Sequence, residues 1–320
     1  MPELPEVTTT VNGLQKALPR LVFIDVWTDL PPSMKTWRAS AKKRKMFKDT
    51  LKDPFFFKKF KKKIIGEKVI KVERRAKNIL INISGGYTIL IHLKMTGHLL
   101  FGEYTKKVIT NDKLRITNWV PKHKGPLNDP FNRFIHVVFT FSNGKHLVFC
   151  DSRKFGKVTI IKSSDLDNTS HLKNIGPEPL EKSFTFSKFK NRLLLKPNGK
   201  IKTILIDQSI IAGIGNIYSD EMLWLSDIHP ESNPRKIPEV KLLKLYKAMQ
   251  KVLTKGIDFG GDSMSDYRNI DGQRGNFQNH HNVYQKKNTK CLKKSCRGVI
   301  MRKVINGRSA HFCNIHQKLA

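Results

Sequence analysis

Acidic side chains are scarce in this chain of 320 residues: 26 Asp and Glu stand against 60 Lys and Arg, for a formal net charge of +34. Such an excess repels itself on folding and is not what an ordinary metabolic enzyme needs. It implies a polyanionic partner, nucleic acid foremost, because neutralising phosphates releases counterions and turns the charge directly into affinity. Long apolar runs are missing as well. No stretch of about 18 apolar residues is present to span a bilayer, and the acidic, helix-like start MPELPEV lacks the basic and apolar regions of a secretory signal. A cytoplasmic protein with no membrane partner is the expectation. Cysteine numbers only four. Cys291, Cys296 and Cys313 crowd near the C-terminus while Cys150 stands far upstream, a distribution that excludes a disulfide framework.

With 39% hydrophobic residues, the chain can bury a sizeable core, and its length suggests two domains with a small appended module. Val7, Val11, Leu14 and Leu18 recur on one face of a first helix, with Glu3 and Glu6 favouring its N-terminal end. Thr8, Thr9, Thr10 and Gly13 give that helix poor intrinsic propensity, so tertiary packing must fix it, and the chain terminus with it. Strand signals come in pairs. Ile79, Ile81 and Ile83 alternate up to Gly85 and Gly86, and Tyr87, Ile89, Ile91, Leu93 and Met95 alternate after them, which predicts a hairpin. A second hairpin is predicted around Ser142, Asn143 and Gly144, so the region from Leu21 to Ile161 reads as a β-sandwich.

Two basic stretches interrupt that region. Lys35 to Lys63 holds thirteen Lys or Arg, interleaved with Trp37, Phe55, Phe56, Phe57 and Phe60. It reads equally as an arm on nucleic-acid phosphates, anchored by its aromatics, or as a solvated helix face. The second stretch, Gly102 to Pro130, offers no chemistry that can be named. After the breaker Gly176-Pro177-Glu178-Pro179, taken as the interdomain linker, the pattern turns helical from Lys182. Leu242, Leu245, Tyr246, Met249, Val252 and Leu253 form an apolar stripe behind Pro238, a residue suited to the first helical position. The tail from Lys286 reads as a separate module.

Three groups of residues carry chemistry. Pro2, once Met1 is cleaved, supplies a secondary amine that can attack a sugar C1′ and yield a cationic iminium, which is covalent catalysis with its own electron sink. The glycines of Ala212-Gly213-Ile214-Gly215-Asn216 lie between two helix-like segments, Ile201 to Gln208 and Ile217 to Leu225, where they permit a tight turn and close backbone approach to phosphate. Cys291-x4-Cys296-x16-Cys313-x2-His316 sets three thiolates and an imidazole at tetrahedral zinc spacing, with reduced, unliganded cysteines as the alternative. Asn306-Gly307, between the pairs, signals a hairpin turn.

The opening Met1-Pro2-Glu3-Leu4-Pro5-Glu6-Val7 resembles the N-terminus of the formamidopyrimidine-DNA glycosylase and endonuclease VIII family. The resemblance extends to Arg74-Arg75-Ala76-Lys77, Met95-Thr96-Gly97, Asp151-Ser152-Arg153-Lys154-Phe155-Gly156, Gly176-Pro177-Glu178-Pro179-Leu180, Gly213-Ile214-Gly215-Asn216-Ile217-Tyr218 and the cysteine tail. These motifs lie in family order along nearly the whole chain, with the two basic stretches as the chief additions. The cysteine tail departs from the family's four cysteines, which have two residues between each pair.

What the resemblance implies is specific. The fold would be α+β: an N-terminal β-sandwich domain with flanking helices over 1–165, a linker over 166–181, a helix-two-turn-helix domain over 182–285 and a zinc-finger β-hairpin over 286–320, with DNA in the positively charged cleft between the domains. Pro2 would displace the damaged base, Glu3 would protonate the opening deoxyribose ring and later shuttle protons, best with a raised pKa, and Lys77 would sit by the flipped nucleotide. Glu6 would support them. Met95, Arg153 and Phe155 would fill the hole left by the flipped base, with Arg153 facing the orphaned cytosine through its donor fork. Asn216, Arg308 and His92 would contact DNA. Leu4 and the segment Ser263 to Gln278, at the position of a loop that covers oxidised purines, favour the purine branch over oxidised pyrimidines. The implied activity is base-excision repair on double-stranded DNA: excision of 8-oxoguanine opposite cytosine and of formamidopyrimidines through a Pro2 Schiff base, then β,δ-elimination. One structural zinc per chain, no catalytic cofactor, a monomer and association with the nucleoid are expected. The rival is a non-catalytic nucleic-acid-binding protein of the same fold.

Overall fold

The computed structural model describes residues 1–31, 37, 40–111 and 114–320; Lys35 and Arg38 of the first basic stretch lie outside the described residues. The chain divides into two compact units. The first comprises Met1–Pro2, Glu6–Thr169 and Asp262–Gly275, and the second Glu3–Pro5, Ser170–Gly261 and Asn276–Ala320.

The first unit is a sandwich of two antiparallel four-stranded sheets. One has the order β1-β8-β9-β5, formed by Phe23–Thr28, Ile135–Phe141, His146–Cys150 and His98–Gly102. The other has the order β10-β4-β3-β2, formed by Lys157–Lys162, Tyr87–His92, Asn78–Ile83 and Val69–Arg75. Alternation of side chains along a strand sends one set inward, and Phe23, Phe139 and Phe149 meet Ile79, Ile81, Ile91 and Val158 in a single core. Both predicted hairpins are present. They turn at Gly86 and Gly144, which take φ of +73° and +75°, values that glycine adopts without steric cost.

Helix α1 (Leu4–Ala17) buries Val7, Val11 and Leu14 in that core, and Leu18 just beyond its end joins them. Burying each such side chain is worth about 1.5–3 kcal/mol, which outweighs the few tenths that each threonine costs the helix. The first basic stretch forms α2 (Ala41–Phe47) and α3 (Pro54–Ile64). Asp53 caps α3 by accepting from Phe55 N at 2.9 Å and Phe56 N at 3.2 Å. Phe60 and Ile64 are buried in the sandwich and Phe56 and Phe57 pack against it, whereas Phe55 is exposed, so three of the four phenylalanines anchor this stretch. The second stretch contains a β-hairpin, β6 (Tyr104–Asn111) with β7 (Leu114–Pro121), followed by short turns at Pro126–Asn128 and Pro130–Arg133. Tyr104, Trp119 and Leu127 cover the outer face of the first sheet around Val138, Val148 and Cys150. Cys150 is therefore a core thiol, donating to Asn132 O at 3.2 Å, with its pKa raised by burial.

The second unit is helical: α4 (Phe186–Leu193), α5 (Ile201–Leu205), α6 (Asn216–Leu225) and α7 (Glu239–Asp258), with the hairpin β11 (Ile300–Ile305) and β12 (Arg308–Cys313). The α7 stripe is buried as its spacing predicts, although the helix begins one residue after Pro238. Tyr246 lies at the edge of the stripe, its hydroxyl donating to Phe184 O at 2.7 Å. Among the described residues no helix is long and apolar enough to cross a membrane.

Candidate active site and metal centre

Antiparallel register gathers several of the implied site residues at one end of the sandwich. The tight β2–β3 turn carries Lys77, buried behind Ala76 at φ +51°. His92 ends β4 opposite both Asn78 and Lys157, and its Nδ1 accepts from Lys94 N at 3.0 Å. Pairing of His98 with Cys150 brings the turn after β4 next to the loop after β9. Pro2, buried, belongs to the same unit.

Met95 does not continue β4, contrary to the alternation of its sequence. The strand ends at His92, and Lys94 at φ +57° bends the chain into a turn that carries a half-buried Met95. Phe155 lies in the loop between β9 and β10 and is 51% exposed, with the Arg153 guanidinium 4.5 Å from its ring centre. Asp151 joins the two loops. Its carboxylate accepts from Thr96 Oγ1, from Gly156 N at 2.6 Å and from Arg153 N at 3.3 Å, and Arg153 N also donates to Thr96 Oγ1 at 3.2 Å. Met95, Arg153 and Phe155 therefore stand on one hydrogen-bonded platform. Lys52 lies beside it, donating to Lys154 O, and burial lowers its pKa despite the opposing pull of Asp151.

In the second unit, the glycines of the Gly213–Asn216 turn admit the chain's own opening residues. Leu4 N donates to Gly213 O at 3.0 Å, and a Cβ on Gly213 would stand 2.6 Å from Leu4 Cδ1. On Gly215 it would stand 2.2 Å from the Glu3 carboxyl carbon. Glu3, 2% exposed, accepts from Ile217 N at 3.0 Å through Oε1. Its carboxyl group thus sits at the N-terminus of α6, where the first backbone N–H groups lack intrahelical partners. Tyr284 is close enough to feel it: burial first, then the Glu3 carboxylate, raises the tyrosine pKa. Glu6 serves another segment in the first unit, accepting from Asp262 N at 2.7 Å.

Asn216 opens α6, and its Nδ2 donates to Ser309 Oγ at 3.2 Å, beside Arg308 at the exposed start of β12. A buried charge cluster fixes this pairing. Lys202 and Asp220 are both fully buried, with Nζ to Oδ1 at 2.5 Å. Lys202 also donates to Asn216 O at 3.0 Å, and Asp220 Oδ2 accepts from His311 N and contacts His311 Nδ1, each at 3.0 Å. Glu221, on the next position of α6, takes the backbone N–H groups of Asn282, Val283 and Tyr284 at 2.9–3.0 Å. Sequence reasoning passed over all of these, because a lysine on a short helix and acids on a longer one carry the same signal as surface charges.

Cys291, Cys296, Cys313 and His316 bring their ligand atoms within 4.8 Å of one another. Cys296 Sγ lies 3.6 Å from both Cys313 Sγ and His316 Nδ1, and Cys291 Sγ lies 3.4 Å from His316 Nδ1. A tetrahedral ion with metal–sulfur bonds of about 2.3 Å spaces its ligands about 3.5–3.8 Å apart, so the four residues can hold a metal ion. Outer contacts orient them, as metal sites require: Trp224 Nε1 donates to Cys291 Sγ at 3.4 Å, and His316 Nε2 lies 3.3 Å from Trp224 O. Gly298 is needed here, since a Cβ would come 2.3 Å from Cys313 Sγ.

Comparison with known proteins places the chain in a family. Residues 1–158 match the formamidopyrimidine-DNA glycosylase N-terminal domain, and residues 175–268 match the formamidopyrimidine-DNA glycosylase H2TH domain. A formamidopyrimidine-DNA glycosylase of Pelotomaculum thermopropionicum is 35% identical over the whole of both chains, and one of Desulforamulus reducens is 32% identical over 99% of each. Among solved structures, a complex of the Lactococcus lactis Fpg with DNA containing an abasic site is similar with a TM-score of 0.77, at 29% identity over 99% of both chains. A complex of a point mutant of that Lactococcus lactis protein with DNA containing Fapy-dG reaches 0.78, at 29% identity over 99% of this chain and all of the other. The chain belongs to the formamidopyrimidine-DNA glycosylase family, the glycosylases and abasic-site lyases of base-excision repair.

Proposed function

We propose that this protein excises oxidised purines, 8-oxoguanine opposite cytosine and formamidopyrimidines, from double-stranded DNA, and then cleaves the strand by β,δ-elimination. The observation that carries the reading is the seat built for the chain's first residues: Leu4 N on Gly213 O, and the buried Glu3 carboxylate on Ile217 N. After removal of Met1, the Pro2 amine attacks C1′ of the flipped nucleotide. A C–N bond forms, the base leaves with the electrons of its glycosidic bond and takes up the proton that the amine gives up, and the sugar ring opens to an iminium as Glu3, in its protonated acid form, gives its proton to the ring oxygen. Lys77 lies by the sugar and phosphate. Met95, Arg153 and Phe155 fill the vacated stack and Arg153 meets the unpaired cytosine. Asn216, Arg308 and His92 take phosphates, which fix register without reading sequence.

The segment 263–278 covers the displaced purine, and Leu4 agrees with the purine branch. Cys291, Cys296, Cys313 and His316 would hold one zinc, whose role would be structural, bracing the hairpin that carries Arg308. Functionally the chain divides into a catalytic sandwich (1–165), a linker (166–181), a helix-two-turn-helix domain (182–285) and a zinc finger (286–320), acting as a monomer on nucleoid DNA in the cytoplasm. The test is a panel of single-lesion duplexes. Excision of 8-oxoguanine paired with cytosine should exceed that of thymine glycol or dihydrouracil, and Pro2→Gly and Glu3→Gln should abolish it. Much faster cleavage of the pyrimidine lesions, or full excision by either variant, contradicts the reading.

A further inference from the structure

The second basic stretch ends in a device that the sequence does not announce. Asp129 lies between the two short turns at Pro126–Asn128 and Pro130–Arg133. Its Oδ1 caps the second turn by accepting from Phe131 N at 2.9 Å. The same carboxylate takes both prongs of Arg268, Nε at 2.9 Å and Nη2 at 3.1 Å. The remaining nitrogen, Nη1, donates to Ser265 O at 2.9 Å and Tyr267 O at 2.8 Å, and the guanidinium lies 4.8 Å from the Phe131 ring centre. Arg268 is 2% exposed. A guanidinium so deeply buried is stabilised by forking onto a carboxylate and satisfying its remaining donors, and four of the five N–H groups of Arg268 have partners here.

Further contacts hold the same segment. Gly272, at φ +81°, lies so close to the first turn that a Cβ would come 2.6 Å from Pro126 O and 2.7 Å from Leu127 N. Phe101 N donates to Ile270 O at 2.7 Å. At the other end, Glu6 receives Asp262 N, and the Tyr267 hydroxyl donates to Glu6 O at 3.0 Å. Ser263 closes the segment on itself, donating to Tyr267 O and accepting from Gly275 N, each at 2.8 Å. Met264, Ser265, Asp271, Gln273 and Arg274 are left exposed.

We infer that residues 126–133 form a clamp, working through the Asp129–Arg268 pair, that holds 262–275 in one conformation before DNA arrives. The exposed Met264 and Ser265 of that segment are then already set to meet a displaced base, without the entropy loss of ordering a loop. The inference rests on the proposed role of 263–278 as the base-covering segment. Asp129 and Arg268 touch no reacting atom; they are positioning residues.

The test uses the full chain with Asp129→Asn, which keeps the cap on Phe131 but removes the charge, and with Gly272→Ala, which disturbs the contact from the other side. Amide hydrogen exchange over 262–275 should accelerate about tenfold or more without DNA, and single-turnover excision of 8-oxoguanine should fall about tenfold. Strand cleavage at a preformed abasic site, which has no base to cover, should be unchanged. Unaltered exchange in both variants overturns the clamp. So does faster exchange with full excision, or an equal fall in excision and abasic-site cleavage. A variant that fails to fold leaves the other to decide. If the wild-type protein excises no oxidised purine, it is the proposed function that fails, while the exchange measurement still judges the clamp.

Discussion

Gly215 is where the smallest change should have the largest effect on chemistry, since any side chain there meets the Glu3 carboxylate. Gly215→Ala should displace that carboxylate from Ile217 N and cut base excision at least as far as Glu3→Gln does, while overpacking costs about 1–3 kcal/mol of stability. Single-turnover kinetics beside a denaturant titration separates the two effects; a variant with full activity would show that the seat of Glu3 is not needed. Lys202 and Asp220 make the opposite case, a pair with no role in bond making but a large one in folding. Asp220→Ala strands a buried ammonium and should cost about 3–5 kcal/mol, read as a lower denaturation midpoint, whereas a surface pair would cost no more than about 1 kcal/mol. Neither residue could be singled out in advance. A lysine reveals its burial only once Asp220 and the Asn216 carbonyl are seen to close around it.

Elements differed in how much of them the sequence disclosed. The hairpins over residues 78–92 and 135–150 and the α7 stripe were legible because each alternates at its own period against a core. Positions where a strand stops short were not. Lys94 adopts a left-handed conformation that its residue type does not signal, and so Met95 turns out of the sheet. The packing of 262–275 with the sandwich was equally silent, because its partners are more than a hundred residues away in sequence. Resemblance located the candidate site; it was the Asp151 platform, the glycine seat and the α6 contacts that required coordinates. The hairpin with the Cys291, Cys296, Cys313 and His316 site carries its own expectation. Protein purified without added zinc should contain about one equivalent, and His316→Ala should lose metal and weaken DNA binding; well under one equivalent with full DNA binding would contradict it. Glu231 ties the start of α5 to β11 by accepting from Lys200 at 2.6 Å and from Lys303 at 2.5 Å. These bonds lower its pKa from 4.5 to about 2. A depressed carboxylate stabilises the fold above its unfolded value and loses that contribution as pH falls towards its folded one. Wild-type stability should therefore drop between pH 4.5 and about 2 more steeply than that of Glu231→Gln; parallel profiles would remove Glu231 from the account.

At the scale of the whole molecule, a net charge of +34 should make DNA binding steeply dependent on salt. If about 6–10 phosphates are neutralised, affinity for undamaged duplex should fall about a thousandfold or more between 50 and 200 mM salt. A much shallower slope would mean that most of the lysines, those of α3 included, never reach the duplex. Charge, fold and family still leave one chemical claim on which the rest depends, that the chain's own second residue becomes its nucleophile. The direct measurement is borohydride reduction of the protein mixed with duplex containing 8-oxoguanine opposite cytosine, followed by mass spectrometry of the cross-linked peptide. The account predicts an N-terminal peptide that begins at Pro2 and carries the reduced sugar on its amine. An adduct on a lysine, or no adduct together with a mature chain that still carries Met1, would contradict it.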